Sequence, residues 1–301
     1  MAESLQPTDE EQQETIVTPL DESYVDPETL SPDDVEHFLN EGLVSNIRPI
    51  EEGTQKVPVH ADRVLLGDME HKDQVLEADI ILPEGKKLLV VYKPESGIGK
   101  GPMKGKEITL PDGSSSYTAK EASAWLVAKA LGLAHITAPT VMRSLDEGIG
   151  SVRPYIWGEP LETSSKEKRD EAFKSRSSLE DIALFDYLLQ TLDRRFSNLL
   201  LVENPSGNQV KAIDHSLTFV SESFASRFHK KGPRLMIAYD NSQDPPKLRR
   251  TPLPERLVAS LQNLISQEDQ ITQALSPLLK DQEIQDLFLR AKKALEQGTF
   301  L

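Results

Sequence analysis

The chain has 301 residues, 38% of them hydrophobic, no cysteine and a formal net charge of −15. That composition allows a sizeable core and excludes a disulfide scaffold, thiolate chemistry and any cysteine-ligated metal or cluster. Residues 1–40 hold 12 of the 49 acidic side chains and none of the 34 basic ones, so the acidity belongs to a tail and the body is nearly neutral. An acidic chain gives no support for nucleic-acid binding. The first residues do not read as a signal peptide, and no apolar run approaches the roughly 20 residues of a membrane span. The expectation is a cytoplasmic protein with no membrane insertion.

The tail is poor in large apolar residues, and about its first 28 residues are expected to be disordered. Ser31-Pro32-Asp33-Asp34 reads as a helix start, with a short helix near 32–40 that stops at Gly42. From there to about residue 93 the pattern is β. Leu43–Ile50 and Gln55–Ala61 are candidate strands joined at Glu51-Glu52-Gly53-Thr54, and Ala78–Leu82 with Lys87–Tyr92 turn at Pro83-Glu84-Gly85. Residues 94–116 read as a long mobile insertion; its Gly99-Lys100 fails as a phosphate loop, because Pro94 and Gly101 stand where that motif needs Gly and Ser or Thr.

A strong helix is expected over Thr118–Leu131, with Thr118 and Glu121 as a capping-box pair. Val141–Arg143 and Ser151–Trp157 are the next strands. Gly158-Glu159-Pro160 breaks the pattern, and the rest is mainly helical. Ser177 with Glu180 caps one helix, and later helices cover about 254–266, 268–279 and 281–296. Between them Leu199–Val202 and Val210–Ile213 form a hairpin. The fold class is therefore α+β: a tail (1–40), a β-rich lobe with one helix (41–158) and a mainly helical lobe (159–301).

Two apolar runs are interrupted by polar residues. In T-L-D-R-R-F-S-N-L-L-L, Asp193 and Asn198 stand five residues apart. In K-A-I-D-H-S-L-T-F, Asp214 sits inside a hydrophobic stretch, where a carboxylate needs a partner or a metal. Phosphoryl transfer from ATP needs a cation on the phosphates, a carboxylate near the acceptor hydroxyl, and oxygen ligands for magnesium. Asp193 suits the acceptor's proton, and Asn198 and Asp214 suit the metal. Lys93 ends the buried run Leu88–Tyr92 and needs an anion; Glu121 is the candidate.

With these residues in place, D-R-R-F-S-N-L-L-L and A-I-D-H-S-L-T-F resemble the catalytic and metal-binding loops of the phosphatidylinositol 3-/4-kinase-like superfamily. More closely, together with V-V-Y-K-P, K-E-A-S-A-W-L-V-A-K-A-L-G-L and A-P-T-V, they resemble the small bacterial phosphatidylinositol-kinase-related proteins, relatives of the HipA-type and actin-fragmin-type atypical kinases. The resemblance covers roughly residues 42–220 and implies a two-lobed protein-kinase-like fold. It implies Lys93 on the phosphates of ATP, Glu121 as its partner, Asp193 as catalytic base, and Asn198 and Asp214 as Mg2+ ligands. A phosphate-covering hairpin would use Gly53, Thr54 and Gln55, and the adenine would lie near Tyr155 and Trp157. Ser216 departs from the family, whose members usually have glycine there.

The implied activity is an atypical kinase, with a protein serine or threonine as the favoured acceptor. Its rivals are a catalytically inactive nucleotide-binding scaffold, a phosphoinositide or small-molecule kinase, and a nucleotidyl transferase. Each residue also has a plainer reading: Glu121 as a helix cap, Lys93 as a snorkelling strand end, Asp193-Arg194 as a surface ion pair, Asn198 as a turn residue. His215 reads as a structural histidine and Trp125 and Trp157 as core. The six histidines show no H-x-x-x-H pair for zinc. The basic stretch 226–250 is a candidate docking strip for an acidic protein segment, an anionic headgroup or the chain's own acidic tail.

Overall fold

The computed structural model describes residues 22–49, 75–97, 102–103, 106–107, 113–174, 176–203, 208–228, 239–240, 247–248 and 252–300. The architecture is mixed α and β, with antiparallel sheets followed by packed helices. Helix α1 (Pro32–Glu41) starts as its sequence dictates. The Ser31 side chain accepts from the Asp34 amide, Pro32 opens the first turn, and Val35 and Leu39 are buried.

Strands β1 (Leu43–Pro49), β2 (Leu76–Ile81) and β3 (Lys87–Pro94) follow. The β2–β3 turn holds Glu84 and Gly85 at φ 69° and 76°, left-handed values that glycine adopts readily. After helix α2 (Tyr117–Ala130) come β6 (Val141–Leu145) and β7 (Gly148–Pro154). The sheet order is β1-β2-β3-β7-β6, antiparallel throughout. Gly150 is required where β7 meets the end of β3: a Cβ there would stand 2.4 Å from the Lys93 carbonyl oxygen.

Strand alternation gives this sheet two distinct faces. Leu76, Ala78, Ile80, Leu88, Val90, Tyr92 and Val152 pack with Val35 and Leu39 of α1. The opposite face carries Leu89 and Val91, which cluster with Tyr155, and Lys93. The chain leaves β7 through residues 155–158 and enters a second sheet, in order β10-β9-β8, made of β8 (Glu159–Pro160), β9 (Leu199–Val202) and β10 (Gln209–Ala212).

Helices α3 (Lys166–Lys174) and α4 (Arg176–Leu189) precede β9. α5 (Glu222–Phe228) follows β10, and α6 (Glu255–Ser266), α7 (Glu268–Leu275) and α8 (Asp281–Gln297) complete the chain. The largest apolar cluster joins α2, α4 and α6–α8 through Val127, Phe185, Leu261, Leu275 and Leu287. Two short pairs stand apart: β4 (Pro102–Met103) with β5 (Lys106–Glu107), and β11 (Tyr239–Asp240) with β12 (Lys247–Leu248).

Several expectations change. β1 pairs with β2, Val44 opposite Ile80, and the expected partner 55–61 lies outside the described residues, as do its turn and Gly53, Thr54 and Gln55. Residues 22–28 are ordered: Tyr24 bridges Lys87, and Val25 and Leu30 pack on the first cluster while Pro27 is buried. Apolar residues spaced through an acidic stretch supply that anchorage. Helix α3 was not expected, and α4 begins at Arg176, which places Ser177 inside the helix. The second late helix ends at Leu275 rather than 279. Most of the basic stretch 226–250 and residues 1–21 of the tail lie outside the described residues. Of the tail's described acidic residues, Glu28 pairs with Lys211 and Asp33 and Glu36 with Lys129. Among the described residues no helix is long and apolar enough to cross a membrane.

Candidate functional site

β3 aims Leu89, Val91 and Lys93 at one face. Lys93 is 6% exposed, and its ammonium donates to Glu121 Oε1 at 2.9 Å and to Asp214 Oδ1 at 3.4 Å. A buried ammonium needs such partners, because desolvation otherwise outweighs its charge. Burial pushes the Glu121 carboxyl above the usual range, with Lys93 pulling it back. Glu121 is not half of a capping box. Ser116 is the N-cap of α2, accepting from the Ala119 amide, which leaves Glu121 past the N3 position and 2% exposed. Its carboxylate is thereby free to serve Lys93.

Asp193 and Asn198 lie on the connection from α4 to β9. Gln190 turns the chain at φ 52°, and the Leu192 amide donates to the Leu217 carbonyl, tying this connection to the loop after β10. The Asn198 side chain donates through Nδ2 to the Asp193 carbonyl at 2.7 Å. Its Oδ1, fully buried, has no hydrogen-bond partner. The Ile213 amide donates to the Asn198 carbonyl at 3.0 Å, which sets Asp214 beside this turn. Asp214 adopts φ 57°, a conformation that Asp tolerates better than most residues, and its Oδ1 accepts from Ser216 Oγ at 2.8 Å. The left-handed residues of this loop are Asp214 and Phe219, so the serine at 216 is accommodated and its hydroxyl caps the aspartate.

Asp193 is paired with Arg195 at 2.5 Å. Burial raises its pKa to about 6, Arg195 and Arg194 oppose the shift, and the nearby charge of Asp214 adds to it. Asp193 and Asp214 therefore share one electrostatic site.

Asp186, Thr137 and the part played by Arg194 are features that sequence reasoning missed, while His215 is the structural histidine it expected. Arg194 holds Asp186 through Nε at 2.9 Å and Nη2 at 3.0 Å, and donates from Nη1 to the Asn198 and Ile213 carbonyls at 3.1 and 2.6 Å. It also reaches His215 Nδ1 at 3.1 Å. Arginine only donates, so His215 Nδ1 accepts and Nε2 carries the proton toward Thr137 Oγ1 at 3.0 Å. Burial and Arg194 hold the imidazole pKa well below the usual value, and the ring is neutral. One guanidinium thus fixes both loops. Of the two consecutive arginines, only their depth in the fold tells which one does so.

Tyr155 and Trp157 stand on the connection between the sheets, ring centroids 4.6 Å apart. Tyr155 is buried and the Trp157 ring packs on the Leu89–Val91–Tyr155 cluster. Trp125 is core, 1% exposed, with its indole N–H on Glu36. The structure thus gathers Lys93, Glu121 and Asp214, sets Asp193 and Asn198 beside them, and places Tyr155 and Trp157 along the same face of β3.

Among the described residues no group of three His, Cys, Asp or Glu side chains is arranged to hold a metal ion. A site of the magnesium kind needs less: one or two carboxylates, with water and phosphate oxygens completing the shell. The unpartnered Asn198 Oδ1 and the Asp214 carboxylate are oxygen donors of that kind.

No family model matches the chain, and no curated protein matches it. Solved structures overlap it shallowly. One is the Helicobacter pylori proinflammatory kinase CtkA, with a TM-score of 0.38 and 10% identity over 74% of this chain and 88% of that one. Another is a Shewanella oneidensis MR-1 toxin–antitoxin complex of HipA, HipB and operator DNA, with a TM-score of 0.36 and 13% identity over 84% of this chain and 71% of that one. Overlaps this slight bear no functional weight, and the side chains of the site must carry the reading.

Proposed function

We propose that the chain is an ATP- and Mg2+-dependent phosphotransferase of the atypical-kinase kind. The observation that carries this is the convergence of Lys93, Glu121 and Asp214, three buried or half-buried charges from separate elements, beside an unpartnered Asn198 oxygen. Such an arrangement costs stability unless something uses it.

In this reading Lys93, held by Glu121, meets the α- and β-phosphates. A magnesium ion held by Asn198 Oδ1 and Asp214 would neutralise charge on the phosphate oxygens. Leu89, Val91, Tyr155 and Trp157 provide an apolar bed for adenine. Asp193 receives the proton of the acceptor hydroxyl as its oxygen bonds to the γ-phosphorus and the bond to the β,γ-bridging oxygen breaks, releasing ADP. The favoured acceptor is a protein serine or threonine. The Arg195–Asp193 pair supports a second reading, a nucleotide-binding scaffold in which that carboxylate is not free for catalysis.

The first test is thermal stabilisation by ATP with and without Mg2+. A ligand that binds only the folded state raises Tm by mass action. Asp214→Asn is the suitable variant, because Asn also tolerates a left-handed backbone and Ala does not. Mg2+-dependent stabilisation in the wild type and its loss in Asp214→Asn is the expected result; none at millimolar Mg2+-ATP sinks the reading. Asp193→Asn should then keep nucleotide binding and abolish transfer of γ-labelled phosphate. Unchanged transfer would remove Asp193 from the mechanism, and binding without product in the wild type would select the scaffold.

A further inference from the structure

The face of β3 that bears Lys93 is already partly covered by the chain itself. β7 pairs with β3 as far as Val90 opposite Pro154, and the Tyr155 amide then donates to the Leu89 carbonyl. Beyond that point the chain turns away and the start of β3 offers a free edge. Residues 23–25 fill it, running parallel: the Val25 amide donates to the Lys87 carbonyl and the Lys87 amide to the Ser23 carbonyl, both at 2.8 Å.

This backbone pairing directs Tyr24 onto the cluster of Leu89, Val91 and Tyr155, on which Val75 and Trp157 also pack. The Tyr24 hydroxyl donates to Asp79 Oδ1 at 3.0 Å, and the Lys87 ammonium stands 5.6 Å from the ring centroid. Asp26 then caps a tight turn over Pro27–Thr29, accepting from the Glu28 amide at 3.0 Å. The turn sends Glu28 to Lys211 on β10, at 2.7 Å. Residues 23–25 are therefore pinned to the edge of the first sheet and Glu28 to the second, across the aromatic connection at 155–157, and Leu30 returns to the cluster on the other face of the first sheet.

We propose that residues 23–30 form an intramolecular strap that competes with the base of ATP, so that nucleotide binds well only when the strap lets go. The proposal rests on the nucleotide-site reading above. The chemistry of the competition is simple: a flat aromatic ring on an apolar bed occupies ground where another flat ring would pack. The strap is local, so it can open without the rest of the fold unfolding. Its polar anchors are a few hydrogen bonds, each of modest net strength, and one ion pair; its apolar anchors are the half-buried Tyr24 ring, the partly buried Val25 and Leu30 and the buried Pro27, and these set how rarely it opens. If the open form is a minor population, apparent affinity for ATP falls by that fraction.

The test compares Mg2+-ATP affinity in the full chain and in the double variant Tyr24→Ala/Glu28→Gln, with hydrogen exchange read at the Val25 and Lys87 amides. Those amides should lose protection in the variant, and its affinity should rise by about 3- to 10-fold, corresponding to a strap open roughly 10–30% of the time in the wild type. ATP added to the wild type should itself speed exchange at Val25. Glu28→Lys alone should bind more tightly, and Glu28→Lys with Lys211→Glu should return toward wild-type affinity. A variant with a released strap that binds ATP no more tightly, or more weakly, overturns the proposal. No binding in either protein, with the strap shown to be released, overturns the nucleotide reading and the strap's role with it.

Discussion

Asp193 and the two arginines that follow it show how depth decides chemistry. Burial raises the Asp193 pKa from 3.8 to about 6, against the pull of Arg195. Two consequences follow with opposite signs. As a proton acceptor Asp193 works only when ionised, so phosphoryl transfer should rise with pH along a limb centred near 6. Arg195→Ala removes an opposing charge and should move that limb upward, as a pH profile of kcat/KM will show. For stability the folded state holds this proton more tightly than the unfolded one. Stability therefore falls as pH rises between about 4 and 6 and is level above. Asp193→Asn should abolish that slope, an effect of up to about 3 kcal/mol between the two plateaus, measurable by urea titration at pH 4 and pH 7. The pairing of Asp193 with Asn198 was legible in the sequence as two polar residues interrupting one apolar run, and the fold joins them through the Asn198 Nδ2 bond to the Asp193 carbonyl. The division of labour between Arg194 and Arg195 was not, since both are equally basic and only the fold buries one of them.

Helix α2 is positioned by a knot that joins three distant parts of the chain. Glu283, in the first turn of α8, accepts from the Ser115 hydroxyl and from the Lys280 amide at 3.1 Å. It also pairs with Lys120 at 3.1 Å. Lys120 is fully buried and donates in addition to the Thr218 carbonyl at 2.8 Å. One ammonium thus links the helix that carries Glu121 to the loop that carries Asp214. Breaking a buried pair on one side leaves the other charge stranded, so Lys120→Met should cost about 3–5 kcal/mol of stability. Adding Glu283→Gln should recover much of that loss, because no unpaired charge remains. The Thr218 bond stays broken in both variants, so Mg2+-ATP binding should remain weakened even after stability returns. Equal recovery of both quantities would reduce Lys120 to a purely structural role. Sequence pattern placed α2 within one residue at each end, since its apolar positions recur at helical spacing. It misassigned the cap because Ser116 and Thr118 are both competent caps, and the knot decides between them through Ser115, a residue 168 positions from Glu283. β1 pairs with β2, further along the chain, a pairing the sequence did not suggest, because alternation tells which face a strand buries, not which strand it joins.

α2 also explains how the first sheet and the C-terminal helices are held as one molecule. One side of it packs on β6 and β7, and Trp125 hydrogen-bonds to Glu36 of α1. Ala124, Val127, Ala128 and Leu131 belong to the large cluster with α4 and α6–α8. The small residues let α2 lie close to its neighbours, and Ala128 is fully buried. The order of strands first and helices mostly after was readable from the residue pattern, but the role of α2 as a wall shared by the sheet and the later helices was not, because pattern gives a helix its buried residues and not the elements that bury them. A wall shared by two cores couples their unfolding. Urea denaturation followed by tryptophan fluorescence, with Trp125 in the wall and Trp157 between the sheets, should coincide with that followed by far-ultraviolet circular dichroism. Ala128→Leu forces extra volume into a closed contact, which typically costs about 1–3 kcal/mol. Because the strain falls on the common element, both probes should shift to lower urea together and the variant should keep a single transition. A fluorescence transition that separates from the circular-dichroism transition, in either protein, would show that the two cores fold independently and that α2 belongs to only one of them.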